Sequence, residues 1–210
     1  MRLSKTKNDL EEGTLLNTNI WIDIDDTIAN TSDIIMKEAI DYHKYILKKN
    51  VLVSDIKSRD YYYFARKLGW NEEELRGFFR DKYPDYLKMV EIKSGVVETI
   101  NRLRENGKKI HFISSRREIS LENSVYEITV EWLRKHEVKY DSLIINCCDK
   151  YSILSSKAGI YIDDSYDNCV AVSKLDAFVV YQMESQYGER CSNKRIKLVK
   201  NWNEINEYLT

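Results

Sequence analysis

The sequence predicts an α/β fold, a doubly wound parallel sheet with a small helical cap inserted after the first strand. Three observations predict it. The run Ile20-Trp21-Ile22-Asp23-Ile24 ends abruptly at Asp25-Asp26-Thr27, as a strand buried on both faces of a parallel sheet does at the sheet's rim. From residue 95 onward, short apolar runs alternate with helical periodicities, which is the pattern of strand–helix–strand units with right-handed crossovers. Between these parts, residues 51–91 hold few strand-like runs and many aromatics, so they read as a small helical insertion.

Taken in order, residues 1–19 read as an irregular lead-in with a short helix near 9–12, and residues 20–24 as the opening strand. Thr31, Ser32 and Asp33 can each cap the helix that follows. Its apolar positions, Ile34, Ile35, Ala39, Ile40, Tyr45, Ile46 and Leu47, recur at helical spacing up to Lys49. Asn71 before Glu72, Glu73 and Glu74 is a helix start, because acids in the first turn suit the positive end of the helix dipole. The cap is expected over residues 31–93, and the core over residues 1–30 and 94–210. In that core, residues 95–105 read as a helix stopped by Asn106-Gly107. Strands follow at 109–113, 142–145, 159–162 and 177–181, separated by helices at 123–136, 151–157 and 166–173. A short edge strand at 196–199 and a closing helix at 202–209 complete the chain.

Composition bounds the function. At 210 residues the chain can bury a full core, and 43% hydrophobic with 32% charged residues is the balance of a soluble globular protein. With 33 basic against 34 acidic residues the net charge is -1, so no global field attracts nucleic acid or an anionic membrane. No run is long and apolar enough to span a bilayer, and the polar N-terminus lacks the apolar region of a secretory signal. A cytoplasmic protein is expected. Cys147, Cys148, Cys169 and Cys191 form no C-x-x-C pair, so reduced thiols are expected rather than a zinc site. The oligomeric state stays open, a homo-oligomer included.

Ligands of such sheets bind at the carboxyl ends of the strands. Three strands here end in polar clusters: Asp23 to Thr27, Ser114 to Arg117, and Asp163 to Ser165. Side chains alternate along a strand, so Asp23 and Asp25 leave its end on the same side. Two unpaired carboxylates there repel each other and lose solvation, and a divalent cation is the simplest compensation.

In this order the clusters resemble the motifs of the haloacid dehalogenase superfamily, in its phosphatase branch. Asp23-Ile24-Asp25-Asp26-Thr27 matches D-x-D-x-T. Phe112-Ile113-Ser114-Ser115-Arg116 matches an apolar strand followed by Ser or Thr. Asp163-Asp164 matches the acidic pair after the fourth strand, before which the family carries a lysine. The resemblance spans residues 20–181. Ile162-Asp163-Asp164-Ser165 and the tail Trp202-Asn203-Glu204-Ile205 are most similar to the 5'-nucleotidase group that includes the deoxyribonucleotidases. The resemblance implies a Rossmann-like core, Mg²⁺ as cofactor, and a small phosphorylated substrate, in the nucleotidase group a nucleotide.

It also implies roles. Asp23 would be the nucleophile, since a carboxylate attacking phosphorus forms an acyl phosphate and splits one hard hydrolysis into two displacements. Mg²⁺ would neutralise it against the phosphate, held by Asp23, Asp163 and the main-chain carbonyl of Asp25. Asp164 would orient the site lysine or a metal-bound water. Asp25 would be general acid and then base, and crowding by carboxylates is expected to raise its pKa. Ser114, Ser115 and Arg116 would meet the phosphate, with Thr27 as the turn residue that positions both aspartates. Lys150 and Lys157 both precede Asp163. Lys150 is preferred, because it follows the third strand at the right rim, whereas Lys157 falls inside the short helix. Asp26 stands where many family members carry glycine, and aspartate tolerates tight turns.

Rival readings are a phosphatase for another metabolite or for a nucleic-acid 3'-phosphate end, and a catalytically silent phosphate-binding module. The near-zero net charge disfavours nucleic acid. The intact set Asp23, Asp25, Ser114 and Asp163 speaks against the silent module. Tyr61-Tyr62-Tyr63-Phe64 could stack on a nucleobase, but such a run is more often the core of a small cap.

Overall fold

The structure is a computed structural model and describes residues 18–50, 64–118, 124–185, 189–190 and 192–210. The expected lead-in helix, Tyr61 to Tyr63, Asn123 and Cys191 lie outside these residues. Six strands form one parallel sheet in the order β3-β2-β1-β4-β5-β6: β1 (Asn19–Ile22), β2 (Lys109–Ile113), β3 (Ser142–Ile144), β4 (Gly159–Asp163), β5 (Phe178–Met183) and β6 (Ile196–Val199). The chain builds outward from β1 to one edge, then returns to lay β4 against the other side of β1. That reversal opens a crevice at the carboxyl ends of β1 and β4.

The central strands are apolar on both faces because helices cover both. Ile20, Ile22, Ile110, Phe112, Ile160 and Ile162 pack on one side. They meet α4 (Val96–Glu105), α5 (Val125–Lys135) and α8 (Trp202–Leu209) through Ile100, Trp132 and Trp202. On the other side Trp21, Tyr161 and Val180 meet Leu154 of α6 (Lys150–Leu154) and Cys169 and Val172 of α7 (Tyr166–Val172).

A helical insert follows β1. It holds α1 (Thr31–Asp41), a π-helical turn at Tyr42–Ile46, α2 (Phe64–Lys67) and α3 (Glu72–Met89). Its own core joins Ile35, Tyr42, Phe64, Trp70, Phe78 and Tyr86. Asn71 starts α3 with a full capping box to Glu74, as its spacing predicts. The start of α1 differs from expectation. Thr31, Ser32 and Asp33 lie inside the helix, and Asn30 at its N-cap makes no side-chain bond to it. Instead the Asp26 carboxylate, from the loop after β1, accepts the Ser32 amide at 2.9 Å and also the Ser32 hydroxyl. The insert's two linkers run side by side. Ala29 and Ile92 form an antiparallel bridge, the Asn30 amide donates to Glu91 O at 2.9 Å, and the Lys93 amide donates to Ile28 O at 2.8 Å. Among the described residues, no helix is long and apolar enough to cross a membrane.

Candidate active site

The loop after β1 is tightly wound. The Ile24 carbonyl accepts the amides of Ile28 and Ala29, at 2.9 and 3.0 Å. Asp26 sits at φ 56°, the left-handed conformation that aspartate tolerates better than most residues. This winding is why β1 ends at Ile22, although the Asp23 amide still donates to Ile162 O at 2.9 Å. Asp23 is thereby fixed to β4 beside Asp163 and Asp164.

Lys150 is the first residue of α6. Asp149 caps that helix by accepting the Ser152 amide. The Lys150 side chain is buried, with Nζ 2.5 Å from Asp23 Oδ1 and 2.8 Å from Asp163 Oδ2. Burial disfavours its charge, but the pull of Asp163 and Asp23 outweighs burial and holds its pKa above the ordinary lysine value. Lys157 is exposed, beyond the end of the helix. Asp163 also accepts the Tyr161 hydroxyl, the Asn168 side-chain amide at 3.1 Å and the Ser165 amide at 2.8 Å. The signal for Tyr161 was in the sequence: it precedes Asp163 by two on one strand, and residues i and i+2 share a face.

Asp164 is buried on a different footing. Its Oδ1 accepts the Thr27 hydroxyl at 3.2 Å, and that hydroxyl accepts the Asp164 amide at 3.0 Å. Its Oδ2 is buried and has no hydrogen-bond partner among the described residues. Thr27 is fully buried, so it braces Asp164 and does not face the cleft. Asp23, Asp163 and Asp164 each offer a carboxylate oxygen, and these oxygens lie within 4.8 Å of one another. Hard oxygen donors in excess of nearby cations, one of them unpartnered, suit a divalent cation such as Mg²⁺. Burial pushes the Asp23 carboxyl up to about 7 against the pull of Lys150. Burial and then the Asp163 charge push Asp164 well above the usual carboxylate range. Both groups want either a proton or a metal ion.

Asp25 runs counter to the sequence expectation. Burial would raise its pKa, but the Arg116 guanidinium, helped by the Thr31 hydroxyl and the Lys150 charge, overrides burial and holds it below the usual range. Arg116 Nη2 lies 2.8 Å from Asp25 Oδ1, and Nε lies 3.1 Å from both oxygens. The Thr31 hydroxyl donates to Oδ1 at 2.7 Å. Arg116 is buried, donates through Nη1 to Thr129 Oγ1 at 3.1 Å, and lies over the Trp132 ring at 5.6 Å. Ser114 is buried as well, and its hydroxyl oxygen accepts the Arg116 amide at 3.3 Å. Ser115 is exposed.

Asp25, Ser115 and Arg116 form the floor of a cleft of about 300 Å³, at the small end of the range for ligand pockets. The insert supplies its walls with Phe64, Phe79, Tyr83 and Tyr86. The sequence did not single out Lys93 or Thr129, and it read Thr31 only as a helix cap. Thr31 reaches Asp25, and the Lys93 ammonium donates to the Asp26 carbonyl.

The profile of the haloacid dehalogenase-like hydrolases matches residues 20–181. A nucleotidase of Clostridium acetobutylicum is 28% identical over 193 residues, which cover 89% of this chain and 91% of that protein. A haloacid dehalogenase-like family hydrolase from Streptococcus pneumoniae superposes with a TM-score of 0.65 at 11% identity, over 92% of this chain and 99% of that one. A subfamily IA hydrolase of the same superfamily, from Geobacter sulfurreducens, gives a TM-score of 0.65 at 11% identity over 93% and 97% of the two chains. The two structures show the shared fold, and the profile match covers the strand-end clusters just described. The chain belongs to the haloacid dehalogenase-like hydrolase family and is an enzyme of that family.

Proposed function

We propose that the protein is a Mg²⁺-dependent phosphomonoesterase that acts through an aspartyl phosphate on nucleoside monophosphates. The observation that carries this is Asp23. It is buried, paired with Lys150, grouped with Asp163 and Asp164, and two residues from a carboxylate on the cleft floor. Mg²⁺ bound by Asp23, Asp163, Asp164 and the Asp25 carbonyl would supply charge neutralisation between the phosphate and the attacking carboxylate.

The chain's own residues do the rest. Lys150 holds Asp23 in line and offers its charge to the phosphoryl oxygens. An Asp23 oxygen bonds to phosphorus as the bond from phosphorus to the ester oxygen breaks. Asp25 gives a proton to that departing oxygen. Because Arg116 keeps Asp25 ionised before substrate arrives, the proton enters with the substrate, whose second ionisation lies near pH 6 as for other phosphate monoesters. In the second step Asp25 takes a proton from water. The water oxygen bonds to phosphorus, the bond from phosphorus to Asp23 breaks, and the proton leaves with the phosphate product. Residues 31–93 act as a cap over a core of residues 1–30 and 94–210, excluding water and selecting the leaving group.

The nucleotide preference is supported by the nucleotidase relative and by the aromatic walls, which suit a base and sugar better than a small polar alcohol. The test is phosphate release from a panel of phosphomonoesters with Mg²⁺. We expect nucleoside monophosphates to be cleaved best, and Asp23→Asn to lower turnover by on the order of 10⁴ or more. Release from other monoesters but from no nucleotide overturns the substrate. An unchanged rate in Asp23→Asn overturns the mechanism.

A further inference from the structure

We propose that Arg116 is a positioning residue: it fixes the Asp25 carboxylate for proton transfer and does not bind the phosphoryl group. This rests on the phosphomonoesterase reading above. The position of Arg116, two residues after Ser114, places it against the phosphate when read from sequence. The structure turns it elsewhere. Each of its side-chain nitrogens is engaged: Nε and Nη2 by Asp25, Nη1 by Thr129. Although it borders the cleft, its side chain has no exposed area, and Trp132 covers its face. Reaching a phosphate would strip it of all these partners and leave Asp25 unpaired.

The anchor comes from outside the cleft. Thr129 lies on α5 and donates its own hydroxyl to Val125 O at 2.7 Å, which leaves its oxygen lone pairs to receive Arg116. A guanidinium fork fixes both the plane and the direction of a carboxylate, which a lysine cannot do. The fork also makes the two Asp25 oxygens unequal. Oδ1 receives Nε, Nη2 and Thr31, whereas Oδ2 receives Nε alone. Asp25 keeps 31% of its side chain exposed, and Oδ2, with the fewer hydrogen bonds, is the oxygen we assign to carry the proton.

Leaving groups separate this role from the others. An alkoxide departs only with a proton, whereas p-nitrophenolate departs without one. With p-nitrophenyl phosphate, attack by Asp23 therefore needs no help from Asp25, but hydrolysis of the aspartyl phosphate still does. In Arg116→Lys we expect turnover of a nucleoside 5'-monophosphate to fall about 100-fold with little change in KM. On p-nitrophenyl phosphate we expect a burst of one p-nitrophenolate per site, followed by a slow steady state. Thr129→Val should show the same signature in weaker form, and it keeps the test valid if Arg116→Lys does not fold.

A rise in KM and a slower first step for both substrates would mean that Arg116 binds the phosphoryl group, and would overturn the proposal. An equal loss on both substrates with no burst would mean a merely structural role, and would also overturn it. A wild-type protein that cleaves neither substrate defeats the underlying reading instead. A burst in Asp25→Asn without one in the Arg116 and Thr129 variants defeats this inference alone.

Discussion

Asp26 occupies the position where the family resemblance leads one to expect glycine, and the structure gives the aspartate a use. At φ 56° a non-glycine residue is strained, least so for aspartate or asparagine. In return the carboxylate caps α1 through Ser32, and the Asp26 carbonyl receives Lys93 from the far end of the insert. Alanine here keeps the strain and loses the cap, at a cost of roughly 2–3 kcal/mol. Asparagine tolerates the backbone and retains an acceptor oxygen, so it should cost less than about 1 kcal/mol. Urea denaturation of Asp26→Ala and Asp26→Asn measures the gap, and equal losses would refute the cap. Single residues were unevenly legible. Asp23, Lys150, Asp163 and Asp164 could be brought together from sequence because each follows a parallel strand to the same rim. The Asp25–Arg116 pair could not, since Arg116 follows Ser114 to the same rim and nothing in its spacing turns its side chain toward Asp25 rather than toward a phosphate. Thr27 was legible as a turn residue, but its burial under Asp164 was not.

Among the elements, β2, β6 and α8 match their expected bounds, because turn residues or caps punctuate both ends. The break of the first helix into a π-helical turn at Tyr42–Ile46 was not legible. A tertiary contact meets it there: Trp70 Nε1 donates to His43 Nδ1 at 2.7 Å from beyond α2. The pairing of β4 with β1 depends on one glycine. Gly159 has φ 143°, and a Cβ there would lie 2.2 Å from Asn19 O. Gly159→Ala adds strain and a backbone clash together, about 3 kcal/mol or more. Gly69→Ala, at φ 63° with open space around it, carries only the strain, about 1 kcal/mol. Denaturant midpoints of the two variants should differ accordingly. Matching midpoints would show that β4 does not need this close approach to β1.

For the whole molecule, the carboxylates at the rim tie stability to pH and to metal. Asp23 is raised in the folded chain from 3.8 to about 7, so between those values the native state binds more protons than the unfolded one. Stability from this group is therefore present at low pH and is lost as pH rises toward and through 7. Asp25 is lowered instead, so its contribution is lost only under acid, below the ordinary carboxylate range. Without metal, the melting temperature should fall by several degrees from pH 5.5 to pH 8, at ~2–4 °C per kcal/mol. Mg²⁺ should recover that loss at pH 8 and add less at pH 5.5, since a cation needs ionised ligands. Calorimetry with and without Mg²⁺ checks this, and equal Mg²⁺ shifts at both pH values would remove the link. At this scale the sequence was most legible, because alternating strands and helices admit few topologies.

The paired linkers of the insert have a further consequence. The chain departs from the core at Asn30 and returns at Glu91 within one hydrogen bond of where it left. The sheet therefore experiences the insert as a short hairpin, whatever lies beyond it. Closure entropy grows only slowly with the length of the excursion. Such a doorway is an exchangeable socket: helices of another size or shape can be spliced between Asn30 and Glu91 without resetting a strand register, and the chemistry at the rim can acquire a new clientele while its own residues stay in place.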